Sequence, residues 1–151
     1  MKQNKFELSA MRAVHVPQIA ELEQVCFTDP WPDQAIRSEL TNPLSLWLVA
    51  LEGETVAGYV GSQSVLGEAD IMNVAVAPEH RRKGIASALL NALQEALAAR
   101  EVHSLTLEVR DSNGPAIALY ESLGYIQVGL RPNYYHKPKE DARILRKEWS
   151  L

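Results

Sequence analysis

Residues 74–90, VAVAPEHRRKGIASALL, constrain the fold of this chain more than any other stretch. An apolar run ends at Val76, and Ala77-Pro78-Glu79 closes it. Arg81-Arg82-Lys83-Gly84 then opens a long apolar segment. Ile85, Leu89, Leu93, Ala96 and Leu97 share one face at the helical period of about 3.6 residues, which predicts a helix over 84–100. No charged residue lies between Lys83 and Glu95. A helix uncharged over that length must be covered on more than one side. Strand, basic loop and covered helix together require layers of sheet and helix.

The loop carries a second message. Three cations, Arg81, Arg82 and Lys83, stand at a helix N-terminus, where the positive end of the helix dipole disfavours them. The placement makes sense if an anion binds there, facing both the free helix N–H groups and the basic side chains. Gly84 would let phosphate oxygens approach the backbone, and Ala86 would keep the wall low. A solvated basic turn is the plainer alternative. The segment has neither the GxxxxGK[ST] pattern of a P-loop nor the GxGxxG of a dinucleotide site.

The remaining pattern fills in the layers. Residues 6–14 read as a first strand. Val16, Ile19, Leu22 and Val25 recur every third residue as a helical stripe, which TDPWP at 28–32 breaks. Residues 33–40 read as a short helix ended by Asn42-Pro43. Strands follow at 44–51, 55–64 and 69–76, the first two forming a hairpin around Glu52-Gly53. After the long helix come a strand at 104–109, a short helix begun by Pro115 and stopped by Gly124, and strands at 125–129 and 142–149. Hairpins beside crossovers predict an α/β fold with a central mixed β-sheet and helices on both faces, not a Rossmann sheet. A length of 151 residues fits a single domain, 1–151.

Composition narrows the function. A net charge of -4 argues against direct nucleic-acid binding and weakly favours a basic partner. Cys26 is the one cysteine, so no internal disulfide forms. No run reaches the ~18 apolar residues of a membrane span, and the first residues do not read as a leader. The expectation is a cytoplasmic protein, monomeric or weakly dimeric, that does not engage a membrane. His15, His80, His103 and His136 show no metal-ligand spacing, so no metal is predicted. His80 reads as solvated, Trp47 as core, and Trp149 as packing the last strand.

A second constellation lies in LEVRDSNGPAIALYESLGY, residues 107–125. Glu108 stands near the end of an apolar strand, and Tyr120 follows on the next helix with Asn113 in the loop between. A carboxylate and a phenol brought together by a strand-loop-helix turn make an acid/base pair. Taken singly, Tyr120 also fits core packing and Glu108 a solvated strand end.

These motifs carry a resemblance. Arg81-x-x-Gly84-x-Ala86 resembles the (Q/R)xxGx(G/A) acetyl-CoA signature of the GNAT N-acetyltransferase superfamily, and the order of elements matches along essentially the whole chain. LEVRxSNxxAIxLYxxLG is similar to the RimI branch, the ribosomal-protein-alanine acetyltransferases. The resemblance implies the GNAT acyl-CoA N-acyltransferase fold, with acetyl-CoA as co-substrate. It puts the pyrophosphate on the backbone around Arg81, Arg82, Lys83, Gly84, Ile85, Ala86 and Ser87. It pairs the pantetheine arm with Val74, Ala75 and Val76 along a strand edge opened by splaying of the sheet. Glu108 then matches the branch's general base, Tyr120 its general acid, and Asn113 a residue that holds cofactor and loop.

The acceptor side is implied in the same way. CFTDPWP at 26–32 resembles a loop that lines the peptide side of the cleft, with Phe27 and Trp31 as its aromatics. RPNYYHKPKEDARIL at 131–145 resembles a stretch in which Tyr134 and Tyr135 flank the incoming N-terminus. Only four residues separate Tyr135 from Glu140, fewer than the family has, and Pro132 and Leu145 replace a basic residue and Met. The implied activity is direct acetyl transfer, in a ternary complex, to the N-terminal alanine of small-subunit ribosomal protein eighteen, a basic partner. An acetyltransferase acting on a small amine or a protein lysine is the first alternative. A catalytically silent acetyl-CoA-binding module is the second. A covalent route through Cys26 is disfavoured because Cys26 falls at the far end of the first helix from these motifs.

Overall fold

A computed structural model of the chain describes residues 6–151; Met1 to Lys5, on which the absence of a leader was read, lie outside the described residues. The elements are β1 (Glu7–Ala10), α1 (Val16–Cys26), α2 (Asp33–Ser38), β2 (Ser45–Glu52), β3 (Thr55–Val65), β4 (Glu68–Val76), α3 (Ile85–Ala98), β5 (Ser104–Arg110), α4 (Gly114–Ser122), β6 (Ile126–His136) and β7 (Lys139–Glu148). They form one mixed seven-stranded sheet in the order β1-β2-β3-β4-β5-β7-β6. Every pairing is antiparallel except β4 with β5, which α3 connects as a crossover.

Two cores lie on opposite faces. Val16, Ile19 and Leu22 of α1 and Ile36 of α2 pack on Met11, Trp47, Val49, Tyr59 and Ala75. Ile85, Leu89, Leu90, Leu93 and Leu97 of α3, with Ile117 and Tyr120 of α4, pack on Val60, Ile71, Leu105 and Leu107. Only Asn91 and Glu95 of α3 are exposed, as its uncharged sequence requires. Gly58 lets α3 begin close to the sheet: a Cβ there would stand 2.9 Å from Ala75 O and 3.1 Å from Ile85 Cγ2.

Three details differ from the sequence reading. The first strand ends at Ala10, and the chain turns through a short 3-10 helix at Ala13–His15, where the Arg12 N–H donates to His15 Nδ1 at 2.9 Å. Val25 is exposed, while Glu23 is buried on the α1 stripe. Each three-residue step falls about 60° short of a full turn, so the third step carries Val25 to the far side. Position 23 returns to the face of Val16. Finally, β6 and β7 are longer than the predicted 125–129 and 142–149. They form a hairpin in which His136 pairs with Lys139 around Lys137-Pro138, so the short connection after Tyr135 folds as a tight turn.

The feature that positions the site is a break between β4 and β5. They pair only at Glu68–Ser104, Ala69–Leu105 and Asp70–Thr106. Met72 is then an extra residue on β4, since Ile71 faces Ser62 of β3 and Asn73 faces the adjacent Gly61. Such a bulge bends and twists its strand. Beyond it β4 follows β3, and β5 follows β7 as far as Arg110–Ala142. The two strands diverge, and the β4 edge from Asn73 to Val76 is left open.

Candidate active site

One side of the candidate site is built on that open edge. The Ala77 N–H donates to Ala57 O at 2.8 Å, and the antiparallel alternation turns the backbone groups of Val74 and Val76 away from β3, toward the gap. The Val76 carbonyl there accepts from Arg81 Nε at 3.2 Å. Ala75 points its side chain into the α1 face.

Below the edge, the α3 N-terminus is unfilled. Gly84 is its N-cap, in the left-handed region at φ 75°. No side chain caps the helix, and the first intrahelical bond is Ala88 N–H to Gly84 O at 3.0 Å. The N–H groups of Ile85, Ala86 and Ser87 therefore lack intrahelical acceptors. A Cβ on Gly84 would meet nothing within 4 Å. Arg82 is also left-handed, at φ 66°, and is exposed. These groups fit a pyrophosphate in their donor chemistry and their open approach.

Two cations of the loop are engaged within the protein. Lys83 Nζ contacts both oxygens of Glu52, at 3.1 and 3.0 Å, and His80 Nδ1 pairs with the same carboxylate. His80 is thus paired rather than merely solvated. The Lys83 ammonium beside Glu52 holds that carboxyl below its ordinary range. Arg81 reaches back to Val76 O and to within 3.9 Å of Cys26 Sγ. Cys26 is therefore close to the basic loop, contrary to its place in the sequence. Burial pushes its thiol pKa up, which makes it a poor nucleophile at neutral pH.

Across the gap stands Glu108. It is the fifth residue of β5, opposite Ile144 of β7, rather than at the strand's end. Leu105, Leu107 and Val109 enter the α3-side core, so Glu108 projects to the α1 side with Thr106. Burial raises its pKa, Arg131 opposes that, and the nearby carboxylate of Asp70 adds to it. Arg131 Nε lies 3.6 Å from Glu108 Oε2, and its guanidinium sits 5.5 Å from the Tyr134 ring centre.

Tyr120 is buried on α4, edge-on to Tyr125 at 5.7 Å. Burial, with a smaller contribution from Tyr135, pushes its pKa up to about 12. Tyr135 is likewise raised to about 12, first by burial, and also by Tyr134 and Glu108. Glu108, Tyr120 and Tyr135 thus share one electrostatic neighbourhood. Asn113 is the α4 N-cap, its Oδ1 accepting from the Ala116 N–H at 3.3 Å.

The other side of the candidate site is gathered from distant segments. Between Arg131 and Tyr135 the β6–β7 register breaks, and Pro132, Asn133 and Tyr134 oppose only Asp141. Asn133, at φ 57°, donates its N–H to Asp141 Oδ1 at 2.8 Å, and Tyr134 is exposed. Arg110 anchors the hairpin: its Nη1 donates to Pro138 O at 2.9 Å and Glu140 Oε1 at 3.2 Å, and its guanidinium stacks 4.2 Å from the Tyr135 ring centre. Glu140 also accepts from the Ser112 N–H at 2.6 Å, tying the hairpin to the loop before α4. On the opposite wall, Trp31 lies 5.6 Å from Trp47, and Phe27 packs into the α1-side core. Trp47 is buried and stacked on Tyr59, as expected for core, and Trp149 donates from Nε1 to Val102 O at 2.9 Å.

Sequence reasoning did not single out Glu23, Asp70, Arg110, Arg131 or Glu140. Arg110 lies inside the quoted LEVRDSN stretch and Glu140 inside KPKEDARIL, but their pairing across the hairpin has no signal in linear spacing. Among the described residues, no group of three His, Cys, Asp or Glu side chains is placed to hold a metal, and no helix is long and apolar enough to cross a membrane.

Comparison with known proteins agrees with this geometry. Residues 16–125 match the family model described as Acetyltransferase (GNAT) family. The chain is 37% identical over 140 residues to the [ribosomal protein bS18]-alanine N-acetyltransferase of Escherichia coli K12, covering 91% of this chain and 94% of that one. It is 35% identical over 148 residues to the N-alpha-acetyltransferase RimI of Mycobacterium tuberculosis, covering 93% and 91%. The crystal structure of the Escherichia coli ribosomal-protein-S18-alanine N-acetyltransferase superposes with a TM-score of 0.89 at 35% identity, over 97% of this chain and 96% of that one. With the splayed strands, the uncapped helix and these relatives together, the chain belongs to the GNAT acetyltransferase family, as an acetyl-CoA-dependent N-acetyltransferase closely related to the RimI branch.

Proposed function

We propose that this protein, acting as one domain over residues 1–151, acetylates the α-amino group of an N-terminal alanine, with small-subunit ribosomal protein eighteen as its acceptor. The observation that carries the reading is the placement of Glu108. It is a half-buried carboxylate projecting to the acceptor side, opposite the open edge of β4. The name of the Escherichia coli relative supports the same acceptor.

Acetyl-CoA supplies a thioester. Val74, Ala75 and Val76 would hold its pantetheine arm, and residues 81–87 its pyrophosphate, with Asn113 keeping the α4 loop in place. Among the loop cations, Arg82 is the most open to solvent-side phosphate, and Arg81 would have to leave Val76 O to reach it. The Val76 N–H is the oxyanion donor, fixed by the sheet before reaction.

The acceptor amine must be neutral to attack. An α-amino group, with a pKa of about 7.7–8.0, is roughly one-tenth neutral near pH 7, against on the order of 0.04% for a lysine at about 10.4. A carboxylate base therefore suits an N-terminus. Burial raises the Glu108 pKa and so makes it a stronger base, while Arg131 opposes the rise. Tyr120 is the general acid. With a pKa of about 12 its O–H stays intact at neutral pH and would donate its proton to the coenzyme A sulfur as the C–S bond breaks. Phe27, Trp31, Tyr134 and Tyr135 flank the incoming N-terminus, and transfer is direct, in a ternary complex.

A second reading, a small amine or a protein lysine as acceptor, draws on the tight Lys137-Pro138 turn, which shortens the wall beside Tyr135. One experiment separates the two. Acetyl transfer is followed by thiol release and mass for a peptide with the free N-terminal alanine of the ribosomal protein, and for the same peptide blocked at its N-terminus but carrying an internal lysine. Transfer to the free N-terminus alone is expected. Transfer to the lysine, or to neither while acetyl-CoA still binds, overturns the reading.

A further inference from the structure

Glu23 is a carboxylate with no exposed surface, and the mechanism above does not use it. It accepts from the Trp31 N–H at 2.8 Å, from Asn73 Nδ2 at 2.8 and 3.0 Å, and from the Tyr59 hydroxyl. Burying a charge is costly unless it is paired or fully hydrogen-bonded, and apolar replacements at such sites are often neutral or stabilising. Here donors from separate segments converge on one carboxylate, so the group fixes geometry that an apolar side chain could not.

The segments it joins are informative. Trp31 belongs to the loop between α1 and α2, on the acceptor wall. Asn73 is the residue after the Met72 bulge and directly before the open edge at Val74–Val76. Tyr59 lies beneath, on β3, stacked on Trp47, which in turn contacts Trp31. The strand does not need Glu23 to stay in place, because Asn73, Val74 and Ala75 are in register with Gly61, Val60 and Tyr59. The loop has weaker support of its own. Its other backbone bonds, Phe27 N–H to Glu23 O and the Ala35 and Ile36 N–H groups to Pro32 O, hold its ends rather than Trp31.

We propose that Glu23 is a positioning residue that fixes the Trp31 loop against the donor strand and thereby sets the acceptor side of the cleft. The inference rests on the reading that this loop contacts the acceptor. Glu23→Gln keeps one acceptor oxygen for the Trp31 N–H but turns an NH2 group toward the Asn73 and Tyr59 donors, so the tether weakens while the β3–β4 ladder persists.

The test measures acetyl-CoA affinity by titration calorimetry, and kcat and KM for the alanine peptide, in the intact protein. Glu23→Gln is expected to raise acceptor KM about tenfold while acetyl-CoA affinity changes less than about twofold. Trp31→Ala is expected to raise acceptor KM as well, and the double variant to do no more than the larger single one, because both act through the same loop. Asn73→Ala, which leaves the carboxylate on Trp31 and Tyr59, gives a smaller rise in the same direction and serves if Glu23→Gln does not fold. A parallel loss of acetyl-CoA affinity, or additive effects in the double variant, overturns the positioning role. An unchanged acceptor KM in Trp31→Ala means that the loop reading has failed, and the route proposed for Glu23 falls with it. A raised KM in Trp31→Ala beside an unchanged one in both Glu23→Gln and Asn73→Ala removes Glu23 alone.

Discussion

The two halves of the cleft are made in different ways. The donor half is a single run of chain, from Val74 through the basic loop to Ser87, and its parts are placed by a strand edge and a helix N-terminus. The acceptor half is collected from the α1–α2 loop, the middle of β5, and the irregular part of the β6–β7 hairpin. Backbone groups dominate the first half and side chains the second. A backbone site tolerates side-chain change but not a change of conformation. A side-chain site fails when one group, or the contact that aims it, is lost.

This contrast predicts an order of effects. The largest belongs to Glu108: Glu108→Gln should lower kcat/KM by about 10³-fold, in the range of general-base losses. The deficit should shrink as pH rises and the amine deprotonates unaided. A deficit constant with pH would remove Glu108 as base. Tyr120→Phe should follow, slowing transfer about 10²-fold with acetyl-CoA affinity unchanged. An equal fall in affinity would make Tyr120 a packing residue beside Tyr125.

The donor half should yield less to side-chain change, with one exception. Gly84 is left-handed, so a substitution there combines strain with chemistry. Gly84→Asp should weaken acetyl-CoA binding about tenfold, and Gly84→Asn, which tolerates the conformation and carries no charge, by clearly less. Equal losses would mean that strain, not repulsion of phosphate, is responsible.

The smallest effect concerns Arg131. Its guanidinium lowers the Glu108 pKa against the upward push of burial and Asp70. As the proposed base, Glu108 would act in its ionised form, so Arg131→Gln should raise that pKa and move the acidic limb of kcat/KM to higher pH. An unmoved limb would mean that Arg131 does not tune the base.

Much of the fold was legible in advance because its signals are local. Apolar period and punctuation fixed the element order, and the uncharged helix required cover on the sheet. The errors arose where local rules compete with a longer-range partner. The predicted strands at 125–129 and 142–149 stop short of the β6–β7 hairpin, whose turn is anchored by Arg110 and Glu140 from distant positions and whose register sets three residues of β6 against Asp141 alone. A stripe read through Val16, Ile19, Leu22 and Val25 does not mark Glu23 as buried. Its place seven residues after Val16, on the buried face, was the available signal.

The sequence by itself determined the mixed sheet and the family, and it supplied the candidate residues for the proposed chemistry. Strand and helix periods, and a contiguous motif, need only neighbours in the chain to be recognised. The tertiary structure alone decided that β4 and β5 part after Asp70, that Lys83 turns to Glu52, and that Glu108 meets Arg131. Each of these depends on groups brought together from distant positions. Which partner a charged side chain takes is settled by burial and geometry, and neither is written in the spacing of residues.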